Sequence, residues 1–148
     1  HAKGPCYLMC QRFIATEKSK YNFLTIAVAD MGVGIHKSLR TNPKYEKLDD
    51  KTALLMAFKS IVTSWGDEFR RGKGLTDVLA ISLSNDSWFR VESGDMGFSL
   101  PWNGDAKWHQ PMAAVPGTRY SIVLVDAEFR DVSRDDADQY VEELLRTL

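Results

Sequence analysis

Three glycine-bearing strings stand out as residues able to do chemistry together. They are Asp30-Met31-Gly32-Val33-Gly34, then Gly72-Lys73-Gly74-Leu75, then Gly117-Thr118. A carboxylate fixed at the end of a strand accepts a hydrogen bond from an exocyclic amine such as that of adenine, and glycines beside it let the backbone approach a flat base. The first string is therefore suited to a purine. In the second, glycines strip side chains from the start of a helix, so unpaired N–H groups and the positive end of the dipole face whatever docks there. Phosphate is the natural occupant, and Lys73 with Arg70 and Arg71 adds positive charge beside it. Each string alone is weak, because an Asp-x-Gly-x-Gly arises by chance in roughly one chain of this length in thirty and a Gly-x-Gly-Leu in roughly one in fifteen. A tight turn after a strand, a loop feeding a helix and a plain turn are the ordinary readings of the three. Their joint occurrence, on the order of one in several hundred, is what carries weight.

The surrounding pattern supplies elements to position them. Residues 7–15 and 22–29 are rich in strand formers, and the polar stretch 16–21 between them reads as a turn, so the two form a hairpin. The second strand is apolar on both faces, which places it inside a sheet and delivers Asp30 to a buried edge. A short helix is expected over 35–39, a break at Asn42-Pro43, and a second helix over 49–62 with Asp49 and Asp50 at its positive end. The polar stretch 64–73 reads as a mobile connection. Leu75, Val78, Leu79 and Leu83 then form the stripe of a helix that starts after Gly74 and stops at Asn85-Asp86. Residues 88–93, 96–100 and 119–125 read as strands, the last two separated by a long loop. Ala137, Tyr140, Val141, Leu144, Leu145 and Leu148 mark a closing amphipathic helix with Ser133 as its N-cap. These elements predict an α/β (α+β) two-layer sandwich, a mixed, largely antiparallel sheet with helices on one face.

Length and composition bound the rest. A chain of 148 residues closes one core and is short for two domains. With 44% hydrophobic and 26% charged residues it has the balance of a globular protein, and a formal charge of -1 gives no global field to attract nucleic acid. No apolar run approaches the roughly 18 to 20 residues that span a bilayer, and no signal peptide is evident, so a cytoplasmic location is expected. Cys6 and Cys10, four apart on a strand and about 13 Å from each other, are out of disulfide reach and read as reduced structural thiols. His36 has a side chain suited to base catalysis, yet no orienting partner is legible and a solvated histidine is the simpler reading; His109 is similarly uncommitted. Trp102 and Trp108 fit either a partner surface or the core.

The residues resemble a known superfamily, the GHKL ATPases, which include sensor histidine kinases, anti-sigma-factor kinases, gyrase and mismatch-repair ATPases. Asp30 to Gly34 looks like the G1 box, Gly72 to Leu75 like the G2 box, and Gly117-Thr118-Arg119-Tyr120-Ser121-Ile122-Val123-Leu124 like the last glycine box. Arg90-Val91-Glu92-Ser93-Gly94 is similar to the strand and turn that follow G2 in bacterial sensor kinases. The resemblance implies that Asp30 binds the adenine amino group, that Gly32, Gly34 and Ile35 line the base, that Arg71, Gly72, Lys73, Gly74 and Leu75 face the phosphates, and that Thr118 joins the water network at the adenine. It implies one ATP-binding domain over 1–148 with a lid over 41–71, and ATP with Mg2+ as cofactors. His1-Ala2 resembles the close of the family's N-box, whose magnesium-binding Asn would then lie four residues ahead of His1, so the N-terminal part of the fold is expected upstream. ATP binding in support of phosphoryl transfer to a protein His or Ser/Thr is the expected function. A degenerate interaction module, and a gyrase-like or mismatch-repair-like ATPase, are the alternatives. A protein substrate or regulatory partner is expected, and neither nucleic acid nor a membrane segment.

Overall fold

Phe89 and Val91, Met96, Phe98 and Leu100, and Tyr120, Ile122 and Leu124 fall at every second position, which gives the sheet they form one dry face. The computed structural model describes residues 4–18, 20–59, 74–102, 104–126 and 133–148. Its strands are β1 (Cys6–Phe13), β2 (Phe23–Asp30), β3 (Trp88–Gly94), β4 (Met96–Leu100), β5 (Lys107–His109) and β6 (Val115–Val125). They lie in the order β1-β2-β6-β3-β4-β5, and every neighbouring pair is antiparallel. The helices are α1 (Gly34–Leu39), α2 (Asp50–Ala57), α3 (Gly74–Ser84) and α4 (Arg134–Thr147), with a 3-10 turn at Pro43–Tyr45. The chain is thus the two-layer α/β sandwich its pattern predicts.

The register sorts side chains cleanly between faces. One row runs Leu8, Val28, Tyr120, Val91, Phe98, Trp108 and faces the helices. The neighbouring row runs Tyr7, Ala29, Arg119, Glu92, Gly97, His109 and faces away from them. Helix packing is centred on Phe58, Phe89 and Phe98, all fully buried, whose rings lie 5.1 to 6.4 Å apart at tilted or edge angles. Each such ring contributes about 1.5 to 3 kcal/mol by leaving water. Leu54 of α2, Leu79 and Ala80 of α3 and Val141 of α4 close over them. A smaller cluster of Leu39, Tyr45 and Ala53 ties α1 to α2.

The helix ends follow from their residues. Asp49 caps α2 by accepting from the Thr52 amide at 2.7 Å, and this bond holds its carboxyl below the usual range. Ser133 caps α4 from the Asp136 amide at 3.3 Å. α3 stops at Asn85-Asp86: Asp86 takes a left-handed φ of 45°, and the Ser87 amide donates to the Ser82 carbonyl at 2.8 Å, closing a Schellman turn.

Three features differ from the sequence reading. The second helix ends at Ala57, and residues 60–62 of the expected helix lie outside the described part. The long loop contains β5, which exists because Trp108 lays its ring edge-on to Phe98 with centroids 5.1 Å apart, and β6 begins early at Val115. Pro116 fits there because the β3–β6 register shifts at Gly94, where no ladder bond is needed from it. β2, though hydrogen-bonded on both sides, is only half-buried along its length, and every residue of β1 is exposed, Cys6 and Cys10 included as free thiols. Of the stretch read as a lid, Leu54 and Phe58 are anchored in the main core. No helix among the described residues is long and apolar enough to cross a membrane.

Candidate functional site

Two of the three glycine strings meet in one corner. Asp30 ends β2, and its Oδ1 accepts from the Gly32 amide at 2.7 Å, turning the chain sharply. Gly34 opens α1 with φ +81°, a conformation that favours glycine. A Cβ there would stand 2.8 Å from Ser93 Oγ and 3.0 Å from the Gly117 carbonyl. Gly117, with φ +76°, crosses the end of β2 so closely that a Cβ would collide with the Asp30 carbonyl and sit 2.6 Å from Asp30 Oδ1. The glycines therefore let two backbone segments, distant in sequence, touch at Asp30.

Ser93 is the hub of this corner. Its buried hydroxyl accepts from the Ile35 amide at 2.8 Å, donates to the Gly117 carbonyl at 2.9 Å, and lies 3.3 Å from Thr118 Oγ1. It joins the turn after β2 to the start of β6 through the end of β3. Sequence reasoning placed Ser93 in a family-like strand without giving it a role; a small hydroxyl directly before a glycine at a strand end was the available signal. Asp30, Gly32, Gly34, Ile35 and Thr118 are thus brought together. Asp30 Oδ2 takes no hydrogen bond among the described residues, so the half-buried carboxylate keeps one acceptor oxygen.

The second string is placed differently. Gly74 is the first residue of α3, exposed, and among the described residues outside its own helix no heavy atom lies within 4 Å of where a Cβ would be. Leu75 packs at the margin of the main core. No hydrogen bond among the described residues joins either to the Asp30 corner, and Arg71, Gly72 and Lys73 lie outside the described residues. What the described residues give α3 is a fixed base: Thr76 Oγ1 donates to the Phe58 carbonyl at 3.0 Å, locking the first turn of α3 to the end of α2.

His36 is not the solvated side chain its sequence context suggested. In α1 its Nδ1 lies 2.5 Å from Asp50 Oδ1, and its Nε2 lies 3.3 Å from the Leu48 carbonyl, which also accepts from Arg40. It links α1 to the head of α2. The partner came from fourteen positions downstream, beyond any local pattern. His109 also has a partner, Glu92, on the far face of the sheet. Trp108 is a core residue with Lys51 over its ring at 5.0 Å, whereas Trp102 is exposed.

Neither a family model nor a curated protein sequence matches the chain.

Proposed function

We propose that this chain forms the adenine-binding and phosphate-facing parts of a GHKL-type ATPase domain, binding ATP in support of phosphoryl transfer to a protein His or Ser/Thr in a signalling protein. The observation that carries the reading is the convergence of the Asp-x-Gly-x-Gly turn and Gly117-Thr118 on Asp30, whose Oδ2 is left able to accept. An ionised carboxylate presents only acceptors, so it selects the adenine amino group over the guanine carbonyl at that edge. Thr118 would stand beside the base, and Gly74, crowded by no described residue, would admit phosphate oxygens to the N–H groups at the start of α3. Bound ATP supplies the transferable phosphoryl group, and this chain's residues bind and orient it.

Magnesium, which the resemblance implies, finds no group of three or more His, Cys, Asp or Glu side chains among the described residues. In the superfamily this chain resembles, the magnesium ligand is an Asn carried on an N-box helix. Leu8 on β1 and Leu24, Ile26 and Val28 on β2 present to the helix side the kind of apolar face that such a helix covers; Leu8 is 72% exposed. Calorimetry of the intact protein with ATP and GTP tests the proposal. Preference for ATP that disappears in Asp30→Asn is expected, and equal affinity of the native protein for both nucleotides counts against it.

A further inference from the structure

The face of the sheet turned away from the helices carries a charged cluster that none of the glycine strings uses. Glu92 Oε1 accepts from Arg90 Nη2 at 2.6 Å and lies 3.1 Å from His109 Nε2, while Oε2 accepts from Arg119 Nε. Burial disfavours the charge of Glu92, yet hydrogen bonds from Arg119, Arg90 and His109 outweigh it and hold the carboxyl near 2, from an ordinary 4.5. It is a permanent anion, only 3% exposed, and it anchors its partners from below. His109 can reach it because the opposing residue is Gly97, where any Cβ would strike the imidazole.

Arg119 is the exposed member. It holds Glu92 through Nε alone, its side chain is 53% exposed, and its terminal amino groups take no partner among the described residues. A guanidinium with its inner edge fixed and its outer edge free is pre-organised for a two-point bond to a carboxylate. Beside it runs a groove of about 480 Å3, floored by the small residues Ala27, Ala29 and Ser121 and walled by Tyr7, Met9 and Trp88. The strand positions of this face hold Arg90, Arg119 and Lys107 against Glu92 alone, so the face is cationic on a chain whose net charge is -1.

We propose that this open face docks an acidic segment of a protein partner, which sets a carboxylate on the free edge of Arg119 and an apolar side chain on the Ala27–Ala29–Ser121 floor. The charge complementarity selects against a second copy of the same face, since two cationic surfaces repel. Two guanidiniums gathered around one carboxylate make a point contact, whereas a nucleic-acid backbone needs a line of cations.

The test is amide NMR on the full chain, titrated with a capped peptide alternating glutamate and phenylalanine, with its lysine counterpart, and with an oligothymidylate. The glutamate peptide is expected to shift amides around Ala27, Arg119 and Ser121, and the other two are not. Arg119→Lys keeps a cation for Glu92 and removes the fork; Ala27→Met fills the floor. Each should weaken the peptide about tenfold or more while the Phe89 and Phe98 amides stay in place. The proposal is overturned by no response, by an equal response to the lysine peptide, by a stronger response to the oligothymidylate, or by native affinity in either folded variant.

Discussion

Gly117 and Gly74 belong to motifs that look alike on paper, and the fold uses them in opposite ways. Gly117 is pressed between strands, with a left-handed φ of 76° and the backbone of Asp30 where a Cβ would go. Gly74 has no left-handed φ, and no described residue outside its own helix comes within 4 Å of where a Cβ would go. At Gly117 the lack of a side chain is needed by the protein itself, because without it the two loops could not meet. At Gly74 no described residue makes such a demand, so among the described residues nothing explains the glycine and a ligand is a candidate reason. A glycine in a motif is informative about a ligand only where the fold does not already require it.

The comparison breaks most readily at Gly117. Gly117→Ala combines an unfavourable left-handed alanine with overlap on a backbone carbonyl that cannot rotate away, and should destabilise by about 3 kcal/mol or more. Chemical denaturation checks this, and a native midpoint would mean the two loops do not touch as described. Ser93→Ala is the milder form of the same experiment. It leaves the Ile35 amide without its acceptor and the Gly117 carbonyl without its donor, at a cost of about 1 to 3 kcal/mol. If the corner also binds adenine, ATP affinity falls with it, whereas a corner that is only a turn loses stability alone.

How much of this was legible beforehand depends on the range of the interaction. The sandwich, the hairpin, the stop at Asn85-Asp86 and the cap at Ser133 were readable because alternation, capping and turn chemistry act within a few residues. β5 was not, since Lys107-Trp108-His109 is a strand only through β4 and through the ring of Phe98. The same holds for the site. Asp30 and Gly34 were legible from their spacing, but the acceptor for the Ile35 amide sits at Ser93 and the partner of His36 at Asp50, and no local pattern names either. The half-burial of β2 was not legible either, since strand-forming residues do not say how fully anything covers them.

Asp30→Asn separates binding from folding more sharply than either loop substitution. The amide keeps an oxygen for the Gly32 N–H, so the turn should survive with a stability change within about 0.5 kcal/mol. Loss of the charged acceptor should weaken ATP by about 1 to 3 kcal/mol in the intact protein. Calorimetry and a melting curve on the same sample decide it. An unchanged dissociation constant in a folded variant takes Asp30 out of the base site and leaves the corner as structure alone.

Gly74→Ala has the smallest expected effect on the fold and bears most directly on the contrast with Gly117. Its backbone is not left-handed and no described residue crowds the place of a Cβ, so alanine should be tolerated; with better helix propensity and a less disordered unfolded chain, it should stabilise by up to about 1 kcal/mol. If Gly74 merely begins α3, ATP affinity stays native. If phosphate oxygens approach the N–H groups of that first turn, the added methyl stands in their path, and affinity should drop while the melting temperature holds or rises. Melting temperature and ATP affinity measured together on the intact protein separate these cases. Native affinity with native or higher stability would remove phosphate from the start of α3. Lost affinity at retained stability would give Gly74 the reason for being glycine that the described residues do not supply.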